Sequence, residues 1–74
     1  MASGSKYLKA LAKHINGLRQ ERGWSYQEMA LACDMDKAQV HKLCTQGINI
    51  TALTAVKLAD GFEIRVSGLF DFKH

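Results

Sequence analysis

Residues 25–45 read SYQEMALACDMDKAQVHKLCT and contain two short segments with helical patterning. The first segment begins with a capping box, in which Ser25 is the N-cap residue and Glu28 follows three positions later. The second begins in a similar way, with Asp36 as N-cap and Gln39 at the third position. Two capped helices of about eight residues, separated by about three residues, have the spacing of a helix-turn-helix.

The apolar residues of these two segments predict which faces are buried. Met29, Ala30 and Cys33 are expected to face inward on the first segment. Val40 and Leu43 are expected to anchor the second, which should extend over residues 37–44. The remaining side chains of the second segment then form its outward-facing set: Lys37, Ala38, Gln39, His41 and Lys42.

Three further helices are predicted around this pair. One spans residues 6–22, ends at a left-handed Gly23, and precedes Trp24, which is expected to pack onto the following helix. Another spans residues 52–60 with Thr51 as N-cap, and Gly61 is expected to weaken or end it. Its inward residues are predicted to be Ala55, Val56 and Ala59. A short last helix is expected over residues 65–70, presenting Val66, Leu69 and Phe70.

Composition bounds the class of protein. The chain has 74 residues, 47% hydrophobic and 23% charged, which indicates one small globular domain over residues 6–74. Residues 1–5 are read as a flexible tail or a cloning remnant.

Proline is absent and no apolar–polar alternation is sustained, so an all-α fold is predicted. No long apolar run is present, so no membrane span or signal peptide is expected. Two cysteines favour a reduced, cytoplasmic protein.

The order and spacing of several short motifs resemble the phage-repressor/Cro, or xenobiotic-response-element type, helix-turn-helix family. The resemblance covers residues 7–70, and its motifs are LRQERG at 18–23, SYQEMA at 25–30, Val40 and Leu43, Gly47, LA at 58–59 and LF at 69–70. It implies a compact five-helix bundle like the lambda-repressor DNA-binding domain, with the helix-turn-helix formed by helices 2 and 3. It also implies that helix 3 reads the major groove of DNA.

The resemblance also implies roles for individual residues. Lys37, Ala38 and Lys42 fall where the family reads bases, with Gln39 and His41 beside them. Lysine can donate to guanine or phosphate, glutamine can pair with adenine, and alanine can contact a thymine methyl. The phosphate-binding candidates are at the start of helix 2, whose free N–H groups suit an anion, and in the loop after helix 3. They are Ser25, Tyr26, Gln27, Thr45, Gln46 and Asn49.

Some positions depart from the family pattern. Cys44 stands where the family usually has a glutamate that pairs with an arginine of helix 1, here Arg19. We therefore expect Arg19 to be free for solvent or phosphate. Tyr26 stands where a glutamine is common, and Asp34 occupies a turn position usually held by glycine.

Other functions have less support in the sequence. Cys33, His41 and Cys44 lack a fourth zinc ligand at suitable spacing, so no metal or other cofactor is expected. A redox role for Cys44 stays open because a nearby cation lowers a thiol pKa. No catalytic motif is present, so the chain is not expected to be an enzyme.

The sequence therefore predicts a sequence-specific regulator that binds a double-stranded DNA operator, most simply as a repressor. A homodimer is expected, since two modules on adjacent half-sites multiply affinity, and Phe72 is read as either a core or a dimer residue. The alternative is a protein-interaction module of the same fold, antitoxin-like or coactivator-like, with the apolar residues 69–72 contacting a protein partner.

Overall fold

The computed structural model describes residues 2–72, with side chains from Lys6 onward. It contains five α-helices and, within that range, no strand. These helices are α1 (Ala2–Glu21), α2 (Tyr26–Cys33), α3 (Lys37–Thr45), α4 (Ala52–Phe62) and α5 (Val66–Leu69). The all-α, five-helix prediction is therefore confirmed. Within the described part, no helix is long and apolar enough to cross a bilayer.

Helix α1 begins earlier than predicted. Residues 2–5 were expected to form a flexible tail, but the structure includes them in the helix, and Met1 lies outside the described residues. No proline interrupts this stretch, and adding turns to an existing helix is easier than starting one. The helix ends as predicted, because Gly23 has φ +67° and its N–H bonds to the Gln20 carbonyl at 3.0 Å.

The helix pair α2–α3 follows the predicted bounds closely. Ser25 caps α2 through the reciprocal capping box, and Asp34 closes it in the left-handed conformation at φ 54°. At the start of α3, Asp36 occupies the N-cap position, but its side chain makes no capping hydrogen bond. The box-like role assigned to Asp36 and Gln39 is therefore wrong, although the helix starts where that pattern placed it.

Helix α4 runs through Gly61 instead of ending there. A Cβ at Gly61 would lie 2.9 Å from both the Ala32 carbonyl oxygen and the Cys33 Cα, so the glycine allows α2 and α4 to pack closely. The helix continues to Phe62, and Glu63 at φ 58° caps it.

The buried side of α4 also differs from the prediction, because Val56 is 45% exposed. Leu58 and Phe62 fill the core in its place, together with the predicted Ala55 and Ala59. In α5, Leu69 is buried as expected, whereas Val66 is 40% exposed and Phe70, the residue that follows the helix, is 37% exposed.

The C-terminal end of α1 is joined to α4 by an aromatic and cationic cluster. Trp24 was expected to pack onto α2, but its ring stacks on Phe62, with centroids 5.5 Å apart and planes 16° apart. Arg22 lies 4.9 Å from the Phe62 ring centroid and donates to the Phe62 carbonyl oxygen. A cation at the C-terminal end of a helix interacts favourably with the helix dipole. The cluster packs against the core, to which α1 contributes Leu11 and Ile15.

The loop after α3 passes directly over α1. Gly47 has φ +72°, and a Cβ there would lie 2.7 Å from the Leu8 carbonyl carbon. A larger residue would therefore be both strained and in contact with backbone. This close approach sets the position of the loop, residues 46–51, relative to the helix pair.

Candidate nucleic-acid interface

The outer side of α3 carries all five residues that the sequence analysis assigned to base reading. Val40, Leu43 and Cys44 are buried and attach the helix to the core. The opposite side is exposed, and we call it the α3 surface: Lys37, Ala38, Gln39, His41 and Lys42. The structure thus brings these residues together on one nine-residue helix.

The α3 surface has a centre and two flanks. Residues spaced three and four apart share a helix face, so Ala38, Lys42 and Thr45 form a central stripe. Lys37 and His41, four apart, lie along one flank, and Gln39 lies along the other. The His41 ring meets the Tyr26 ring of α2 at 5.1 Å and 82°, so its flank faces α2.

The N-terminus of α2 combines unpaired N–H groups with one carboxylate. Ser25 Oγ accepts from the Glu28 N–H at 3.1 Å, and the Ser25 N–H donates to the Glu28 carboxylate at 2.9 Å. The bonds from Ser25 lower the pKa of Glu28, so this side chain is ionised at neutral pH. The N–H groups of Tyr26 and Gln27, in the first turn, lack an intrahelical acceptor, as is general at helix starts.

The phosphate-binding candidates at and after the end of α3 differ in whether their side chains are free to donate a hydrogen bond. Gln46 and Asn49 are exposed after α3. Thr45 is also exposed, but its hydroxyl donates to the His41 carbonyl oxygen at 2.6 Å. The Thr45 hydroxyl proton is therefore already engaged within the helix. The side-chain amides of Gln46 and Asn49 remain as exposed donors after α3.

Arg19 is not free for solvent, contrary to the sequence-based expectation. Its Nε donates to the Asn16 amide oxygen at 2.9 Å, and a terminal nitrogen donates to the Trp24 carbonyl oxygen. Its guanidinium carbon also lies 4.5 Å from the centroid of the Tyr26 ring. Neutral acceptors and an aromatic face therefore replace the carboxylate that the family pattern would supply.

The two thiols lie in the core. Burial raises the pKa of Cys33 to about 11, and burial also raises the pKa of Cys44, although Arg19 opposes that shift. Cys44 lies 3.9 Å from the Met29 sulfur and acts as a small apolar side chain. Because both thiols are protonated at neutral pH, this geometry does not favour the redox role considered for Cys44. Among the described residues, no group of three or more candidate metal ligands lies together.

A second surface was identified only in part from the sequence, which named the apolar residues 69–72 as a contact for a protein partner. Val56, Val66 and Phe70 are exposed on α4 and around α5, and we call them the α4–α5 surface. They border a groove of about 430 Å³, whose other walls include Leu8 of α1 and Ile50 of the loop. The sequence carried a signal for this surface, because α4 has more apolar residues than its buried face accommodates. Val56 was nevertheless assigned to the core.

Two of three comparisons with known proteins support the five-helix fold described above. A search of curated proteins returned no match. The restriction-modification controller protein C.AhdI from Aeromonas hydrophila has a similar solved structure, with a TM-score of 0.79 and 24% sequence identity. The similarity covers 85% of this chain and 96% of that protein, and at this identity it shows a shared fold.

A family model provides the assignment. The model described as helix-turn-helix matches residues 15–69, which include α2, α3, α4 and α5. Proteins of this Cro/C1-type family are DNA-binding transcription regulators, which is not an enzyme class. The match spans most of the chain and contains both the capped helix pair and the exposed α3 surface. The chain therefore belongs to the Cro/C1-type helix-turn-helix family of DNA-binding transcription regulators.

Proposed function

We propose that this protein is a sequence-specific repressor that reads double-stranded DNA by inserting α3 into the major groove. The observation that carries the proposal is the α3 surface, a nine-residue helix held by Val40 and Leu43 with its polar side exposed. The major groove of B-DNA admits an α-helix, and its base edges present a distinct pattern for each base pair. Cations and an amide on the exposed side suit that pattern.

The proposed contacts divide into base reading and phosphate binding. Lys37 and Lys42 donate to guanine or to phosphate, Gln39 pairs with adenine, and Ala38 contacts a thymine methyl. The first turn of α2 and the loop after α3 hold the DNA backbone on either side. These phosphate contacts involve Ser25, Tyr26, Gln27, Thr45, Gln46 and Asn49, with the Thr45 hydroxyl turning from His41 when it engages DNA.

We further propose a homodimer formed through the α4–α5 surface. Exposed apolar residues grouped around a groove favour a protein contact, and Val56, Val66 and Phe70 form such a group. A two-fold dimer would place two copies of α3 on half-sites about 34 Å apart, one turn of B-DNA. Joining two weak contacts in this way raises the overall affinity without new base contacts.

Repression follows from occupancy. A dimer that covers an operator excludes other proteins from the same stretch of duplex, and its affinity for the operator sets the degree of exclusion. We place this activity in the cytoplasm of a bacterial or phage-infected cell, where DNA and regulator share one compartment.

A second candidate function is a protein-interaction module, antitoxin-like or coactivator-like. It is favoured by exposed apolar side chains that do not line the groove beside the α4–α5 surface. Leu31 on α2 is 74% exposed, and Leu53 on α4 is 67% exposed. In that case α3 would be an ordinary solvated helix, and the chain would act by contacting another protein.

Selection of bound duplexes from a randomised DNA pool separates the two functions. We expect enrichment of an inverted repeat whose half-sites are one helical turn apart. A variant with Lys37 and Lys42 both changed to Ala should lose the enrichment, whereas Lys13→Ala, an exposed cation of α1, should keep it. No enrichment with protein shown to be folded by circular dichroism would overturn the proposal and favour the interaction module.

A further inference from the structure

Side chains from three helices meet at one edge of the α3 surface. The Tyr26 ring of α2 contacts both the Arg19 guanidinium of α1, 4.5 Å from its centroid, and the His41 ring of α3, with centroids 5.1 Å apart. Tyr26 is half-buried and packs against the core, whereas His41 is exposed. An aromatic pair at a near-right angle is an attractive geometry that restricts the orientation of the exposed ring. Tyr26 is therefore placed to orient His41.

The surroundings of His41 are positive. Two cations lie near it: Arg19 contacts the same Tyr26 ring, and Lys37 lies one turn earlier on the same flank of α3. Arg19 donates to two neutral oxygens, the Asn16 amide and the Trp24 carbonyl. Within the part of the chain that the structure describes, Arg19 forms no ion pair. Lys37 forms none there either, and Glu28, the carboxylate in the first turn of α2, accepts from the Ser25 N–H. Both cations can therefore attract an external anion.

The position of the edge indicates which anion fits. His41 lies on the flank toward the first turn of α2, where the N–H groups of Tyr26 and Gln27 have no helical acceptor. It lies beside the central stripe of Ala38 and Lys42 rather than within it. In the proposed docking, the first turn of α2 holds the DNA backbone, so the part of the flank that faces α2 lies on the backbone side of the stripe. A phosphate oxygen is then the acceptor that the imidazole would meet.

We propose that Tyr26 is a positioning residue that holds His41 for an ionic contact with a DNA phosphate, and that binding is coupled to proton uptake at His41. This inference rests on the proposed DNA-binding function and assigns His41 to the backbone instead of to a base. The imidazole takes one proton from solvent, and the resulting imidazolium donates a hydrogen bond to the phosphate oxygen. No covalent bond is formed or broken in the DNA.

The coupling predicts the direction of the pH dependence. Imidazole changes its charge between pH 5 and 8 in ordinary environments. Since the protonated form makes the charge-assisted bond, affinity should rise as pH falls through that range. We expect the selected duplex to bind about tenfold more tightly at pH 5.5 than at pH 8.0 at constant ionic strength, the scale of one charge-assisted contact.

The test measures duplex Kd from pH 5.5 to 8.0 for the whole chain and matched variants. His41→Gln should bind with little pH dependence, because it can donate a hydrogen bond but cannot gain charge. His14→Gln is the control, since His14 lies on α1 and bonds to the Gly68 carbonyl oxygen at 2.8 Å. It should keep the full pH dependence of the unchanged protein.

Two variants test the positioning role. Tyr26→Phe keeps the ring and should retain the pH dependence, whereas Tyr26→Leu removes the ring and should flatten it. In the free protein, the His41 ring proton resonances should shift in Tyr26→Leu but stay in place in Tyr26→Phe, a readout that needs no DNA. Circular dichroism verifies folding, and the exposed His41→Gln variant keeps the test decisive if Tyr26→Leu unfolds.

Several outcomes would overturn the inference. One is an equal pH dependence in His41→Gln and the unchanged protein, and another is a flat profile in a protein that binds DNA tightly. Loss of the pH dependence in His14→Gln would show that His14 on α1, and not His41, takes up the proton. Absence of duplex binding at every pH in low salt would instead reject the proposed function itself, and this inference with it.

Discussion

The outer surfaces of α3 and of α4–α5 differ in chemistry although both rest on the same core. The α3 surface exposes two lysines, an amide and an imidazole, with Ala38 as its one apolar member. The α4–α5 surface exposes Val56, Val66 and Phe70 beside an apolar groove. Charged groups on a helix suit a polyanion, whereas grouped apolar side chains suit a protein partner. One small fold thus offers two surfaces for two kinds of contact.

The comparison also shows what the surfaces share. Val40 and Leu43 anchor α3, and Leu58, Phe62 and Leu69 anchor α4 and α5, all in one buried cluster. Changes on either surface should therefore separate DNA binding from self-association, and changes in the cluster should remove both together.

The largest effect is expected from Phe62→Ala. This residue is 1% exposed and stacks on Trp24, and removing a buried phenylalanine costs about 3–5 kcal/mol. Urea unfolding should show that loss, and both surfaces should fail together. Leu53→Ala on the same helix is the control and should change stability by no more than about 0.5 kcal/mol, because Leu53 is 67% exposed. Equal losses for the two variants would contradict the placement of the core.

The next effect is expected on the α4–α5 surface. Changing Val66 and Phe70 to Lys should give a folded monomer, since both side chains are partly exposed. Affinity for a duplex with two half-sites should then fall about 100-fold or more, because avidity is lost, while single half-site affinity is kept. Analytical ultracentrifugation measures the oligomer. Leu31→Lys on α2 is the control, and a dimer that survives the first variant would move the interface elsewhere.

A smaller effect is expected on the α3 surface. Lys42→Ala should lower specific affinity by about 1–3 kcal/mol if the lysine reads a guanine, and it should leave the oligomeric state unchanged. A lysine that binds phosphate would instead weaken binding to all duplexes and reduce the salt dependence by about one charge. Titrations of preferred and unrelated duplexes at several salt concentrations distinguish these roles. Unchanged affinity for every duplex would remove Lys42 from the interface.

The smallest effect on the free energy of unfolding is expected at the N-termini of α2 and α3. Ser25→Ala should lower stability by about 1 kcal/mol, since it removes the acceptor of the Glu28 N–H. Asp36→Ala at the start of α3 should cost less, because Asp36 makes no capping bond. Equal costs in urea unfolding would show that the two starts are not distinguished by side-chain capping.

The capping box also predicts a pH dependence. Its bonds lower the pKa of Glu28, so their contribution is complete above the ordinary value of 4.5 and is lost as pH falls through the lower folded-state pKa. The stability gap between the unchanged protein and Glu28→Gln, which cannot ionise, should therefore narrow in acid. Urea unfolding between pH 3 and 7 measures it, and a gap that widens in acid would contradict the assignment.

The helix-turn-helix could be predicted from neighbouring residues alone. The capping box at Ser25, the left-handed turn at Gly23 and the inward spacing of Val40 and Leu43 all act within one or two helical turns. Short-range interactions of this kind are readable from neighbouring residues, and they were enough to define the outward set on α3. The family resemblance then indicated DNA as the partner.

The contacts between residues that are distant in the chain depend on the tertiary structure. It gave Arg19 the Tyr26 ring and the Trp24 carbonyl as partners, stacked Trp24 on Phe62, and turned Val56 out of the core. Gly61 illustrates the physical reason: its local propensity disfavours a helix, yet the close packing of α2 against α4 places it inside one. Spacing along the chain orients a side chain on its helix, but which neighbour it faces depends on how the helices pack together.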